Sequence, residues 1–162
     1  AKVLLAPEGE GRLLDLYCGF GLFSHFLAPE YKQVMGVEAE GPSIEAAEAN
    51  KRMSSAGART RFRAGRISSQ SLEGLLPAPW PGKEAVLLDP PRQGPEDGVI
   101  QALAQRDPVK VLHIHCNADL LPHSLRQWRE NGYHPFRVVP LDMFPGTPEI
   151  EVLLALGRDE AE

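Results

Sequence analysis

Short apolar runs alternate with segments of mixed polarity along almost the whole chain, and the two kinds of spacing predict different elements. RLLDLY (12–17), QVMGVE (33–38), TRFRAG (60–65), EAVLLD (84–89), KVLHIHC (110–116), FRVVPLD (136–142) and EIEVLLAL (149–156) read as strands. Uninterrupted runs fit strands covered on both faces, whereas TRFRAG alternates. Between them, 23–28, 42–57, 96–106 and about 120–131 suit helices. In 42–57, Pro42 suits the first turn, Ile44, Ala47 and Met53 are expected to share a face, and Gly57 is expected to cap the end. Asp107-Pro108 and Asn131-Gly132 close the next two helices, and the Pro-rich stretch 77–83 reads as a surface connection.

Five alternations of strand and helix predict βαβ units, hence an α/β fold built on a mostly parallel sheet. Right-handed crossovers then place helices on both faces in a doubly wound, Rossmann-like sandwich. The connection MFPGTP is too short for a crossover helix, so the last two of the seven strands are expected to be antiparallel neighbours. In this architecture ligands sit beyond the carboxyl ends of the strands. The chemically interesting residues stand there: Asp15 with its Gly loop, Glu38, Asp89-Pro90-Pro91-Arg92 and Cys116.

At 162 residues the chain is expected to be a single domain, 1–162, with a core that needs no staples. Hydrophobic residues at 43% and charged residues at 24% exclude a disordered tail or a membrane protein, and no apolar run reaches membrane-spanning length. Two cysteines make no disulfide framework, and without a signal peptide the expected compartment is the reducing cytoplasm. The net charge of −5 argues against autonomous nucleic-acid binding, which needs clustered Lys and Arg.

The first loop reads Asp15-Leu-Tyr-Cys-Gly19-Phe-Gly21-Leu-Phe-Ser24. Two glycines after the first strand permit a tight turn and close approach of a ligand to backbone. Glu38, ending the second strand, is placed to accept from ribose hydroxyls. An adenosine-containing cofactor follows, either NAD or S-adenosyl-L-methionine. Ser24 stands where a dinucleotide fingerprint has its third glycine, and Asp15 suits a methionine chain, so the methyl donor is favoured.

Cys116 ends the fifth strand in HIHCNA. His113 and His115 should face one way and Cys116 the other, so the three are not expected to share a metal. The cysteine is either a small buried hydrophobe or a nucleophile at the lip of the cofactor cleft.

DLYCGFGLFS, GVEAEGPSIEAAEAN, VLLDPPRQG, HCNADLL and LDMFPGTPEIEVLLAL, in this order, resemble the RNA 5-methyluridine (uracil-5) methyltransferases over nearly all of Leu13 to Leu156. The resemblance implies a class I S-adenosyl-L-methionine-dependent catalytic domain acting on tRNA or ribosomal RNA. It implies that Cys116 is the nucleophile that adds to C6 of uracil and that Glu151 is the base that removes the C5 proton. On the cofactor side it implies Tyr17, Gly19, Gly21, Leu22, Glu38 and Asp89, with Arg92 toward the substrate. It also implies that the chain is a fragment whose RNA-gripping module precedes it, which accounts for the acidic charge.

Two places depart from the family pattern. Ala118-Asp119-Leu120-Leu121-Pro122 follows Asn117 where many members have Pro-x-Thr-Leu-x-Arg-Asp. The third strand ends in Gly65-Arg66, where methyltransferases usually put an acid for the adenine amine. These departures motivate a competing reading, a non-catalytic cofactor- or RNA-binding relative. An NAD-dependent oxidoreductase is a third reading, which leaves DPPR and Cys116 unexplained.

Overall fold

A computed structural model describes residues 1–5, 10–80, 83–143, 145–147 and 149–158. Seven strands form one sheet: β1 (Arg12–Leu16), β2 (Gln33–Glu38), β3 (Thr60–Ala64), β4 (Glu84–Leu88), β5 (Lys110–His115), β6 (Tyr133–Leu141) and β7 (Glu151–Arg158). Their order is β3-β2-β1-β4-β5-β7-β6. β7 inserts between β5 and β6 and runs antiparallel to both, while the remaining neighbours are parallel. The helices are α1 (Lys2–Leu5), α2 (Leu22–Leu27), α3 (Pro42–Met53), α4 (Leu72–Leu75), α5 (Val99–Ala104) and α6 (Leu121–Glu130). The doubly wound α/β expectation, with an antiparallel last strand, is met.

The central strands β1, β4 and β5 are buried almost throughout because alternate residues enter two cores. Leu13, Leu87, Leu112, Ile114 and Ala155 pack with Leu5 of α1 and Leu27 of α2. Leu14, Leu16, Val86, Leu88, Val111 and Leu154 pack on the other face with Leu103 of α5 and Trp128 of α6. The two edge strands are protected instead: β3 exposes Arg61 and Arg63, and β6 carries Pro135 and Pro140 with an irregular register after Pro135.

At the amino ends of β1 and β4, cross-strand partners Arg12 and Glu84 form a buried ion pair. Arg106 joins it, donating from Nε and Nη2 to the Glu84 carboxylate at 3.1 and 2.9 Å. The two guanidinium groups also donate to the carbonyls of Ala78 and Pro77, which pins the Pro-rich connection; Pro81 and Gly82 of that segment lie outside the described residues. This cluster sits at the opposite end of the sheet from the Gly loop and Cys116.

Three local expectations are corrected. Helix α3 ends at Met53, with Ser54 extended, so Gly57 is not its cap. Gly57 is needed for another reason, since a Cβ there would stand 2.2 Å from the Lys51 carbonyl oxygen. Met53 is 88% exposed while Ile44 and Ala47 are buried. Nine residues at about 100° each carry position 53 half a turn away from position 44. The helix expected from 96 begins only at Val99, because Gly98 adopts φ 79°. The seventh-strand hairpin is antiparallel as expected, although Phe144 and Pro148 of its connection lie outside the described residues.

Candidate active site

Sheet order determines which functional side chains can meet. From the β3 edge inward, the carboxyl ends of successive parallel strands present Arg66, Glu38, Tyr17, Asp89 and Cys116. β7 runs the other way, so its first residue, Glu151, arrives at this same end. β5 and β7 pair from Val111↔Leu156 to His115↔Val152. One step further, the same register sets Cys116 opposite Glu151.

The first loop is a locked turn. Tyr17 adopts φ 62°, a left-handed conformation that is strained for a bulky residue, and Gly19 and Gly21 follow at φ 55° and 84°. A Cβ on Gly21 would crowd His25 and Phe62, whereas one on Gly19 would enter open space. Glu38 holds the turn against β2: Gly19 N–H donates to one carboxylate oxygen and Ala39 N–H to the other, both at 2.8 Å. Each oxygen keeps a further lone pair for a ligand hydroxyl.

Asp15 lies wholly buried beneath the loop and accepts a 2.5 Å hydrogen bond from the Ser24 hydroxyl, while its Oδ1 has no partner. Burial pushes its carboxyl up to about 7, and the negative charges of Asp89 and Glu38 push the same way. Ser24, read from the sequence only as a missing glycine, is thus the residue that ties α2 to β1.

Asp89 follows β4, with its N–H donating to the Leu16 carbonyl at 3.2 Å. Burial, then the charges of Glu151 and Glu38, raise its carboxyl to about 6. Cys116 is partly buried, with its thiol 3.9 Å from the Pro90 carbonyl oxygen. Burial and the carboxylates of Asp89 and Glu151 push that thiol up, and Arg92 alone among its charged neighbours pulls it down. Arg92 is itself ion-paired with Glu149. Asn117 ties this corner together, since its Nδ2 donates to the Arg92 carbonyl at 3.5 Å and its Oδ1 accepts from the Asp119 N–H at 3.1 Å.

His113 and His115 point to the opposite face of β5. Their rings lie 3.9 Å apart, and His113 Nδ1 accepts from the Trp128 indole N–H at 3.2 Å. Among the described residues, no group of three or more His, Cys, Asp or Glu is arranged to hold a metal ion, and no helix is long and apolar enough to cross a membrane.

A cleft of about 350 Å³ runs over the strand ends, lined by Tyr17, Glu38, Ala39, Arg66, Ile67, Asp89, Pro90, Pro91 and Glu96. It gathers Tyr17, Glu38 and Asp89, with Gly19 bound to Glu38 at its margin. Leu22 stands apart. It is 57% exposed and lines a neighbouring apolar hollow with Phe20, His25, Phe26 and Met53. Glu96 is a cleft residue that sequence reasoning missed, because it lies in a loop with no motif of its own.

Residues 3–77 match the family model described as tRNA (Uracil-5-)-methyltransferase. An uncharacterized RNA methyltransferase of Clostridium tetani is 32% identical over 148 residues, which are 91% of this chain and 31% of the relative. Another, from Chlamydia trachomatis, is 31% identical over 157 residues, covering 97% of this chain and 38% of the relative. The crystal structure of the Pyrococcus abyssi tRNA (uracil-54, C5)-methyltransferase in complex with S-adenosyl-L-homocysteine superposes with a TM-score of 0.71 at 28% identity, over 96% of this chain and 36% of that one. The chain belongs to the uracil-5 RNA methyltransferase family.

A precorrin-6y C5,15-methyltransferase of Geobacter metallireducens, at 12% identity and a TM-score of 0.74, shares the fold alone. The sheet is therefore the mixed seven-stranded sheet of class I methyltransferases, carried here by a uracil-5 family member. The chain spans about a third of the length of the curated relatives it matches.

Proposed function

We propose that this chain is the catalytic domain of an S-adenosyl-L-methionine-dependent enzyme that converts a uridine of tRNA or ribosomal RNA to 5-methyluridine. The observation that carries the reading is the β5–β7 register, which brings Cys116 and Glu151 face to face beside Asp89. The cleft fits the adenosyl donor. Gly19 opens onto space that a Cβ would fill, Glu38 has acceptor capacity left for ribose hydroxyls, and Asp15 has a buried oxygen lacking a donor. When bound, the donor supplies an electrophilic methyl group on sulfur.

Uracil C5 is a weak nucleophile, and Cys116 corrects that. The thiol gives up its proton to Asp89, one of the two carboxylates that face it, which leaves Glu151 ionised, and the thiolate adds to C6. The electrons of the C5–C6 double bond become an enolate able to take the methyl group at C5. Glu151 then removes the C5 proton, the double bond re-forms, and the bond between C6 and sulfur breaks to return the thiolate. Base flipping or a loop substrate lets the uracil reach the thiol. Phosphate contacts come from elsewhere in the protein, since this domain is acidic.

Digesting RNA after incubation with methyl-labelled donor tests the reading. Label should appear in 5-methyluridine and vanish with Cys116→Ala. No label, or label in another nucleoside, overturns it.

One observation favours a non-catalytic relative: among the described residues, the cation beside the thiol, Arg92, is already paired by Glu149. That reading predicts donor binding without any methylated product.

A further inference from the structure

The ion pair at the β3 end of the cleft has no part in the chemistry above. Arg66 follows β3 and Glu96 lies in the loop before α5, yet Arg66 Nε and Glu96 Oε1 meet at 2.7 Å and both residues line the cleft. Neither side chain is buried: Arg66 is 82% and Glu96 42% exposed, so the pair contributes little to stability. Its position is more informative than its strength.

Three strand spacings of about 4.8 Å separate the β3 end from the β4 end, so the cleft extends about 14 Å from Arg66 to Asp89. Glu38, the ribose acceptor, stands between them on β2. Ala39, buried Ile67 and Pro91 give the cleft an apolar lining. A ligand with its ribose at Glu38 and its reacting end at Asp89 and Cys116 must therefore direct its base toward β3. There the pair presents an acceptor, the Glu96 carboxylate, next to a donor, the Arg66 guanidinium. Adenine offers the complement on one edge, with a 6-amino donor beside the N1 acceptor.

We propose that Glu96 and Arg66 together read the adenine edge of the cofactor, with Glu96 accepting from the 6-amino group and Arg66 donating to N1. Glu96 thereby determines adenosine specificity in a chain whose third strand ends in an arginine. The inference rests on the cofactor reading above.

S-adenosylhomocysteine and S-inosylhomocysteine separate the two ideas. Inosine reverses the edge, with a 6-oxo acceptor and an N1–H donor, so its oxygen faces the Glu96 carboxylate. Calorimetric titration of the chain should show a preference of about tenfold for the adenosyl compound, the net worth of about one hydrogen bond. A glutamine amide can turn either end toward the ring. Glu96→Gln should therefore bind both compounds within about twofold of each other, at the affinity of a single hydrogen bond. If Glu96→Gln keeps the wild-type ratio, or if wild type shows no preference, the proposal is overturned while the cofactor reading stands. If wild type binds neither compound, both fall.

Discussion

Replacing Asp15 by Asn should stabilise the protein at alkaline pH and not at acid pH. The carboxyl is fully buried beneath the Gly loop, has one oxygen without a partner, and is raised from 3.8 to about 7, chiefly by burial. A carboxyl whose folded value lies above its unfolded one holds its proton more tightly in the folded state. Its contribution to stability is therefore complete below the unfolded value and is lost as pH rises toward 7. A shift of about three units corresponds to about 4 kcal/mol over the whole range, and about 2.6 kcal/mol of it falls between pH 5 and 8. Asn keeps the acceptor for Ser24 but buries an amide N–H₂, at a cost of about 1–3 kcal/mol that does not depend on pH. Urea unfolding of both proteins at pH 5 and pH 8 isolates Asp15 together with the carboxylates coupled to it, because titrations remote from it cancel in the difference. The variant should gain about 2–3 kcal/mol relative to wild type on going from pH 5 to pH 8. A difference that stays constant across that interval would refute the reasoning. The same variant should weaken donor binding, which makes the buried acid a stability sacrifice kept for function.

At the far end of the sheet, Glu84→Gln leaves Arg12 and Arg106 facing each other without a counter-charge, and denaturant unfolding should show a loss of about 3 kcal/mol; a loss below about 1 kcal/mol contradicts the buried triad. His115 is held neutral by burial, its value lowered from 6.5 to about 4, so the unfolded chain binds the extra proton and stability falls as pH drops through that window. His115→Leu should remove about 3 kcal/mol of that acid loss, and an unchanged slope between pH 6.5 and 4 would show that the imidazole is not the titrating group. Glu151→Gln should still attack uridine but fail to release it, so a methylated protein–RNA adduct should accumulate on a denaturing gel; wild-type turnover in this variant excludes Glu151 as the base.

The strands were legible because both faces of β1, β4 and β5 are covered, which forces apolar runs that no surface strand would carry. The short segment after β6 dictated an antiparallel return, but nothing in it announced that β7 would slot between β5 and β6. That placement, read from long-range pairing, is what brings Glu151 to Cys116 across 35 positions of sequence. Glu38 was visible by its spacing from the Gly loop, whereas its hold on the Gly19 amide was not. Met53 was misplaced because identity as an apolar residue outweighed its angular position on α3. Glu96 and the Ser24–Asp15 contact escaped because each depends on a loop folding back, and such contacts leave no period in the sequence.

Incubating the protein with methyl donor and RNA containing 5-fluorouridine tests the central claim most directly, because fluorine at C5 cannot leave as a proton. A covalent complex should form, mass spectrometry should map the attachment to Cys116, and Cys116→Ala should abolish it. Absence of any complex from a protein that binds both RNA and donor, or a complex that survives Cys116→Ala, would contradict the account.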